Sequence, residues 1–315
     1  MELAGIGWLP WRPALTIGLV AMVLAWGMRR SDRTRASASL TFEVGLVLTL
    51  YAAWQFIGSI TPFGVDRAYD SGRWIATFQA AIGLPAEADL QSLVLPHDWA
   101  VQAADTYYTA LHIPVFVITL LWVLLRHKPD WPFVRTTTVL LTGSCLMIQF
   151  WAVAPPRLIP DLGIVDTAMI NGRSVYAAIP GANQFSAMPS VHMAWAVAVA
   201  LFIIVVARNP WRWLALLYPA ATMAVVVVTG NHFWMDGIVS MLLLGGSVAI
   251  ALSLPSQRPA RLSHRPSPKQ SEPLSASAMT SRICRKRSLA TRSRWHSAAH
   301  QPFGTTSTPS TAKGC

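Results

Sequence analysis

The polar side chains best suited to chemistry lie at the ends of apolar segments in the second half of the chain. Arg157 follows one apolar segment, Ser190 and His192 open the next, and His232 and Asp236 lie where the last two segments meet. These residue types bind phosphate, move protons and form covalent phosphoryl intermediates. Ionisable groups at membrane depth are costly and indicate a function. We therefore interpret the five residues as a candidate site for phosphoryl transfer.

The segment around Ser190 has the features of an anion site. Pro189 suits the first turn of a helix, where its missing N–H costs nothing. The backbone N–H groups of Ser190, Val191 and His192 would then point out of a helix N-terminus and could hold phosphate. The Ser190 hydroxyl adds a donor, and the planar guanidinium of Arg157 can clamp two phosphate oxygens.

The pair His232 and Asp236 could supply a nucleophile. The two residues are four apart, so on a helix they share one face. The carboxylate could hold the Nδ1–H of His232 and leave Nε2 free as a nucleophile. His192 would then donate a proton to the leaving oxygen.

Each residue also has a simpler explanation. A His at the end of a span often only bonds at the membrane interface, and a basic side chain there often snorkels. A metal site would normally need three or four ligands, and the sequence offers no Cys or further carboxylate at this depth. Haem held by His192 and His232 is a weaker alternative. The combination favours phosphoryl transfer, so we predict no metal ion and no cofactor.

The composition indicates a membrane protein. Of 315 residues, 53% are hydrophobic and 12% charged, which is about half the charge of soluble domains. A helical span needs about 20 mostly apolar residues. Seven stretches qualify, and they predict an all-α polytopic bundle of about seven transmembrane spans: 12–28, 40–61, 109–125, 134–154, 190–207, 212–230 and 233–253.

The loops alternate in charge, which predicts the orientation. Loops 29–35, 126–135 and 208–212 hold nine basic and two acidic side chains, whereas the other set holds five basic and nine acidic ones. Basic loops stay in the cytoplasm. The N-terminus is then outside, the C-terminus is cytoplasmic, and the candidate site lies at the extracytoplasmic ends of the last four spans. We expect an integral plasma (inner) membrane protein.

The remaining segments complete the predicted domain organisation. Residues 1–61 form two N-terminal spans, and 62–105 form an extracytoplasmic amphipathic segment in which Trp74, Ile75, Phe78 and Ile82 recur at helical spacing. Residues 106–254 form the catalytic membrane domain. Residues 255–315 hold eleven Lys and Arg against one acid and are rich in Ser and Pro. They predict a disordered basic cytoplasmic tail. Because the basic charge is confined to this tail, we expect no nucleic-acid partner.

Four stretches of the sequence resemble the type 2 phosphatidic acid phosphatase superfamily. They are residues 106–124, 154–167, 183–200 and 227–246, and the third is the most specific. Within that superfamily the chain is most similar to the branch of inositol phosphorylceramide synthase and its bacterial relatives. The resemblance implies a lipid phosphate or phosphodiester substrate and chemistry without a metal ion.

The resemblance also implies a role for each matched residue. His232 would form a phosphohistidine, and Asp236 would orient it. His192 would protonate the leaving alcohol and later activate the acceptor, while Arg157 and Ser190 would bind phosphate.

Two cations of the general superfamily pattern are absent. Phe150 and Val226 stand where related phosphatases keep a Lys and an Arg, and this departure favours the inositol phosphorylceramide synthase branch. Arg173 and His112 are candidate replacements in substrate binding.

The sequence leaves two questions of function open. With water as acceptor the protein would be a phosphatase, and with an alcohol such as inositol a phosphotransferase. A non-catalytic membrane transporter or lipid-binding protein on the same fold is the alternative to both.

Overall fold

The chain is described by a computed structural model that covers residues 9–60, 64–172 and 184–260. These ranges are helical, and they contain no β-strand apart from an isolated parallel bridge between Val153 and Ser186. The α-helices are α1 (Trp11–Met28), α2 (Arg35–Gly58), α3 (Val65–Ala81), α4 (Glu87–Val94), α5 (Asp98–Ala110), α6 (His112–Arg126), α7 (Trp131–Gln149), α8 (Thr167–Ile170), α9 (Val191–Val206), α10 (Leu217–Val228) and α11 (Trp234–Ser253). The predicted all-α fold class is confirmed.

Within the described residues, four helical segments are long and apolar enough to cross a membrane. They are Trp11–Met28, Ser37–Gly58, Pro210–Val228 and Trp234–Ser253, and the pair α5 and α6, bent by 47°, makes a fifth if it counts as one span. Several apolar helices of this kind indicate a membrane protein. Helix α9 has only 16 residues, and the apolar sequence of α7 contains Arg135 and a run of threonines, although the helix itself is continuous. The seven-span topology therefore stays a prediction.

The bundle core joins α6, α7, α9 and α11. Phe133 of α7 packs edge-to-face on Phe202 of α9, with ring centroids 6.5 Å apart. Ala194 and Ala198 of α9 are fully buried beside them. Small residues let helices approach closely, and in a bilayer this van der Waals packing is a main source of helix association. The core therefore fixes α9 and α11, whose N-terminal ends carry the candidate site.

Helix α3 lies at the predicted amphipathic segment, and its apolar residues are divided between a buried and an exposed face. Ile75 is 3% exposed and packs against Ile159. Trp74 is 65% exposed and stacks on Phe78, and Ile82, which caps the helix, is also exposed. The buried face also contains Gly72, whose missing side chain lets the backbone at Ala154 approach the helix.

The non-helical segment after α7 is held from two sides. Val153 N–H donates to the Phe185 carbonyl at 2.7 Å, and Ala187 N–H donates to the Val153 carbonyl at 3.2 Å. Ala154 N–H donates to the Ala68 carbonyl of α3 at 2.9 Å. These bonds place the 185–187 segment beside the one that leads to Arg157.

The contact between α3 and Ala154 gives a test of this arrangement. A Cβ at Gly72 would lie 2.7 Å from the Ala154 carbonyl oxygen and 2.6 Å from Ile159. Because the backbone at Ala154 would have to shift to make room for this Cβ, we expect Gly72→Ala to lower the free energy of unfolding by about 1–3 kcal/mol. Nothing lies within 4 Å of a Cβ at Gly143 in α7, so Gly143→Ala should instead stabilise by about 0.5–1 kcal/mol. Thermal unfolding in detergent micelles measures both, and equal shifts for the two variants would contradict the packing.

Candidate active site

The loop between α10 and α11 presents His232 through a tight turn. Gly230 has a φ of +66°, a left-handed conformation that favours glycine. The N–H groups of Asn231 and His232 both donate to the Val226 carbonyl, at 3.2 and 3.1 Å. His232 is thereby fixed two residues before α11 begins and is 5% exposed. It was predicted to share a helix face with Asp236, but it precedes the helix.

The expected pairing of His232 with Asp236 nevertheless occurs. Asp236, in the first turn of α11, is fully buried, and its Oδ2 accepts the Phe233 N–H at 2.8 Å. The same oxygen lies 3.3 Å from His232 Nδ1. The carbonyl oxygen of Ala187 is closer to Nδ1, at 2.7 Å. Nδ1 therefore has two acceptors, one from each side of the site.

The Ala187 carbonyl decides which ring nitrogen of His232 carries hydrogen. A carbonyl oxygen only accepts hydrogen bonds, so Nδ1 at 2.7 Å must be the protonated nitrogen. In the neutral imidazole Nε2 then keeps its lone pair. The geometry supplies a nucleophile or a proton acceptor at Nε2.

Helix α9 starts one residue later than predicted. Ser190 is its N-cap, because its hydroxyl accepts the Met193 N–H at 3.2 Å, and Pro189 therefore lies before the helix instead of in its first turn. Ser190 N–H is not open to an anion, since it donates to the Asp236 carbonyl at 3.3 Å. Within the described ranges the N–H groups of Val191 and His192 have no partner. They are the two donors left at this helix N-terminus.

His192 lies in a group of aromatic rings. Its imidazole stacks on Tyr108 at 4.2 Å and meets His112 edge-to-face at 4.6 Å, both between ring centroids. The His232 ring is 5.8 Å away. The structure thus brings His192, His112 and His232 together from α9, α6 and the loop before α11. A porphyrin between His192 and His232 would have to displace the Tyr108 ring, which packs beside both.

Arg157 lies on the other side of the His232 loop. Its Nε donates to Asn231 Oδ1 at 3.0 Å, and one terminal nitrogen donates to Asp166 Oδ2 at 2.9 Å and to Gln184 at 3.3 Å. The side chain is 2% exposed, so Asp166 compensates a buried charge. The backbone N–H of Arg157 also donates to the Gly230 carbonyl at 3.0 Å. The guanidinium is held in a fixed orientation beside the residue that precedes His232.

The family comparison matches this part of the chain. A family model described as the PAP2 superfamily matches residues 73–250, a range that covers more than half of the 315 residues and contains every site residue described above. The chain belongs to the PAP2 superfamily. No curated protein and no solved structure was found to match it. Membership of the PAP2 superfamily indicates a phosphatase or phosphotransferase activity.

Some residues that line the candidate active site were not predicted from the sequence. Two carboxylates near the site were given no role: Asp166 binds Arg157, and Glu87 accepts the Trp234 N–H at 3.3 Å. Asn231 and Tyr108 were also given no role. Asp166 lies in the same motif stretch as Arg157, and Asn231 directly precedes His232. Their positions in the sequence could therefore have marked them as candidate site residues. Glu87 is distant in sequence and gave none.

Three further positions singled out in the sequence are Arg173, Val226 and Phe150. Arg173 lies outside the described residues. Val226 is fully buried against Tyr108, and its carbonyl anchors the His232 turn. Phe150 caps the C-terminus of α7 and is 38% exposed. Among the described residues no three His, Cys, Asp or Glu side chains are arranged to hold a metal ion.

The buried Glu87 gives a pH-dependent test of the contact between α4 and α11. Burial raises the pKa of its carboxyl above the ordinary value of 4.5, although hydrogen bonds from Gln79 and from the Trp234 N–H oppose the shift. The folded protein then binds this proton more tightly than the unfolded chain. Stability is therefore lost as the pH rises from about 4.5 through the raised pKa.

We expect Glu87→Gln to reduce this loss. The melting temperature of the wild type in detergent should fall between pH 5 and pH 8 by more than that of Glu87→Gln. Asp89→Asn, which removes an exposed carboxylate from the same helix, should keep the wild-type slope. A Glu87→Gln slope equal to that of the wild type would contradict the assignment.

Proposed function

We propose that the protein is a membrane lipid phosphotransferase or phosphatase that works through a phosphohistidine on His232. The observation that carries the proposal is the pair of acceptors at His232 Nδ1, the Ala187 carbonyl at 2.7 Å and Asp236 Oδ2 at 3.3 Å. They leave the lone pair at Nε2 and stabilise the positive charge that the ring gains when Nε2 attacks phosphorus. Membership of the PAP2 superfamily is consistent with this chemistry.

In the first half-reaction His232 Nε2 attacks the phosphorus of a lipid phosphate or phosphodiester. The P–N bond forms as the P–O bond to the lipid alcohol breaks, and His192 gives its proton to the leaving oxygen. Arg157 and the N–H groups of Val191 and His192 bind the phosphate oxygens. Ser190 contributes as the cap that directs those N–H groups.

In the second half-reaction an acceptor O–H gives its proton to His192, and its oxygen attacks the phosphorus. The P–N bond breaks and His232 returns to its starting form. With a lipid phosphate monoester as donor, water releases phosphate and an alcohol such as inositol gives a new phosphate monoester. With a phosphodiester as donor, water releases the headgroup phosphate monoester and an alcohol gives a new phosphodiester. No metal ion or cofactor takes part in this scheme. The absence of cations at Phe150 and Val226 supports an inositol phosphorylceramide synthase-like role, with Arg173 as a further contact to the substrate.

We further propose that this reaction takes place at the outer face of the inner membrane. Seven spans with the N-terminus outside would place the ends of the last four spans, and with them the site, on the extracytoplasmic side. The alternating charge of the loops supports this topology. In it, 1–61 form the first two spans, 62–105 an external segment, 106–254 the catalytic domain and 255–315 a cytoplasmic tail.

Lipid turnover by the purified protein tests the proposal. In nanodiscs the wild type should convert phosphatidic acid to diacylglycerol and phosphate, or phosphatidylinositol to diacylglycerol and inositol phosphate. Added inositol should divert the phosphoryl group of phosphatidic acid from free phosphate into inositol phosphate if an alcohol is the acceptor. His232→Ala should lower turnover at least about 10³-fold, because the nucleophile is lost. His127→Ala, at the far end of α6, is the control and should remain active. Full turnover in His232→Ala would contradict catalysis by His232, and no turnover of either lipid by the wild type would support the alternative, a non-catalytic transporter or lipid-binding protein.

The role of Asp236 makes a separate prediction. Asp236→Asn keeps the shape of the side chain but removes the negative charge beside Nδ1. We expect kcat to fall about 10²- to 10⁴-fold with little change in KM, as for other His–Asp pairs. A raised KM with an unchanged kcat would show that Asp236 serves substrate binding alone.

A further inference from the structure

The His112 ring has a buried nitrogen that packing does not explain. The residue is 3% exposed, and its Nδ1 lies 3.1 Å from the Tyr218 hydroxyl. Its Nε2 is buried without a hydrogen-bond partner among the described residues. Native structures rarely leave such an atom unpaired, because the cost in free energy is substantial. The nitrogen lies in the ring that contacts His192, which suggests a role in the reaction.

His192 lacks the hydrogen bond that usually orients a catalytic imidazole. Within the described ranges neither of its ring nitrogens has a hydrogen-bond partner. Two rings hold it instead, Tyr108 stacked at an interplanar angle of 26° and His112 edge-to-face at 80°. The orientation of His192 therefore depends on how firmly these two rings are fixed.

We propose that His112 is a positioning residue through which Tyr218 fixes the imidazole of His192 for proton transfer. The proposal rests on the proposed function. Tyr218 of α10 fixes the His112 ring through Nδ1, and Tyr107 of α5 packs against the same ring at 5.3 Å. His112 then limits His192 on one side and Tyr108 on the other. The proton passes from His192 to the leaving alcohol oxygen, and His112 neither gains nor loses one.

Two substrates that differ in their leaving group separate this role from others. Phosphatidic acid loses an alkoxide, which needs a proton as the P–O bond breaks, whereas p-nitrophenyl phosphate loses a stable phenolate. We expect His112→Phe and Tyr218→Phe to lower kcat/KM for phosphatidic acid about 10- to 100-fold but that for p-nitrophenyl phosphate less than about 3-fold. His112→Gln, which can still bond to Tyr218, should recover part of the loss. His127→Phe, the same substitution beyond the other end of α6, is the control.

The outcomes are distinguishable from failure of the proposed function. An equal loss on both substrates, or no loss on either, would overturn the role of His112. If His112→Phe does not fold, the Tyr218→Phe variant tests the same role, because it removes a single hydroxyl and keeps the ring. His192→Ala should show the same selectivity with a larger loss. An equal loss on both substrates in His192→Ala would refute His192 as the proton donor, which is a failure of the proposed function itself.

Discussion

The candidate site depends on one hydrogen bond, from His232 Nδ1 to the carbonyl oxygen of Ala187. It joins the loop before α11 to the segment before α9, two parts of the chain that are 45 residues apart. Because the acceptor is a backbone carbonyl, the bond fixes the tautomer of the imidazole as well as its position. Asp236 adds a second acceptor to the same nitrogen. The proposed chemistry at Nε2 depends on these two contacts.

The surrounding backbone keeps this bond in place. The bridge between Val153 and Ser186 sets the position of Ala187, and the carbonyl of Ala154 lies against the bare backbone of Gly72 in α3. On the other side, Arg157 binds Asn231, the residue before His232. A buried, paired guanidinium loses little entropy when it binds an anion, because its orientation is already set. The site is therefore preorganised by loops, and the helices supply the frame.

The helices were largely predictable, and the loops were not. Apolar length located α1, α2, α6, α7, α9, α10 and α11, because membrane insertion requires runs of that kind. The shorter helices α4, α5 and α8 have no such run and were not predicted. The pairing of His232 with Asp236 was also predictable, because a separation of four residues limits the geometry. The Ala187 acceptor was not predictable, since any backbone carbonyl can take that place and the sequence does not show which one does.

The start of α9 was also mispredicted. Proline at 189 suited a first turn, but the Ser190 hydroxyl caps the helix and Pro189 lies before it. Glu87 and the ring contacts of His112 arise from long-range packing, which periodicity does not report.

The most direct test of this account is the position of the phosphoryl group on a trapped intermediate. The protein in nanodiscs would be quenched in base during turnover of ³²P-labelled phosphatidic acid, and the phosphopeptide analysed for its residue and its phosphohistidine isomer. The tautomer fixed by Ala187 predicts phosphate on Nε2 of His232. Phosphate on Nδ1, on His192, or on no histidine while turnover proceeds would contradict it.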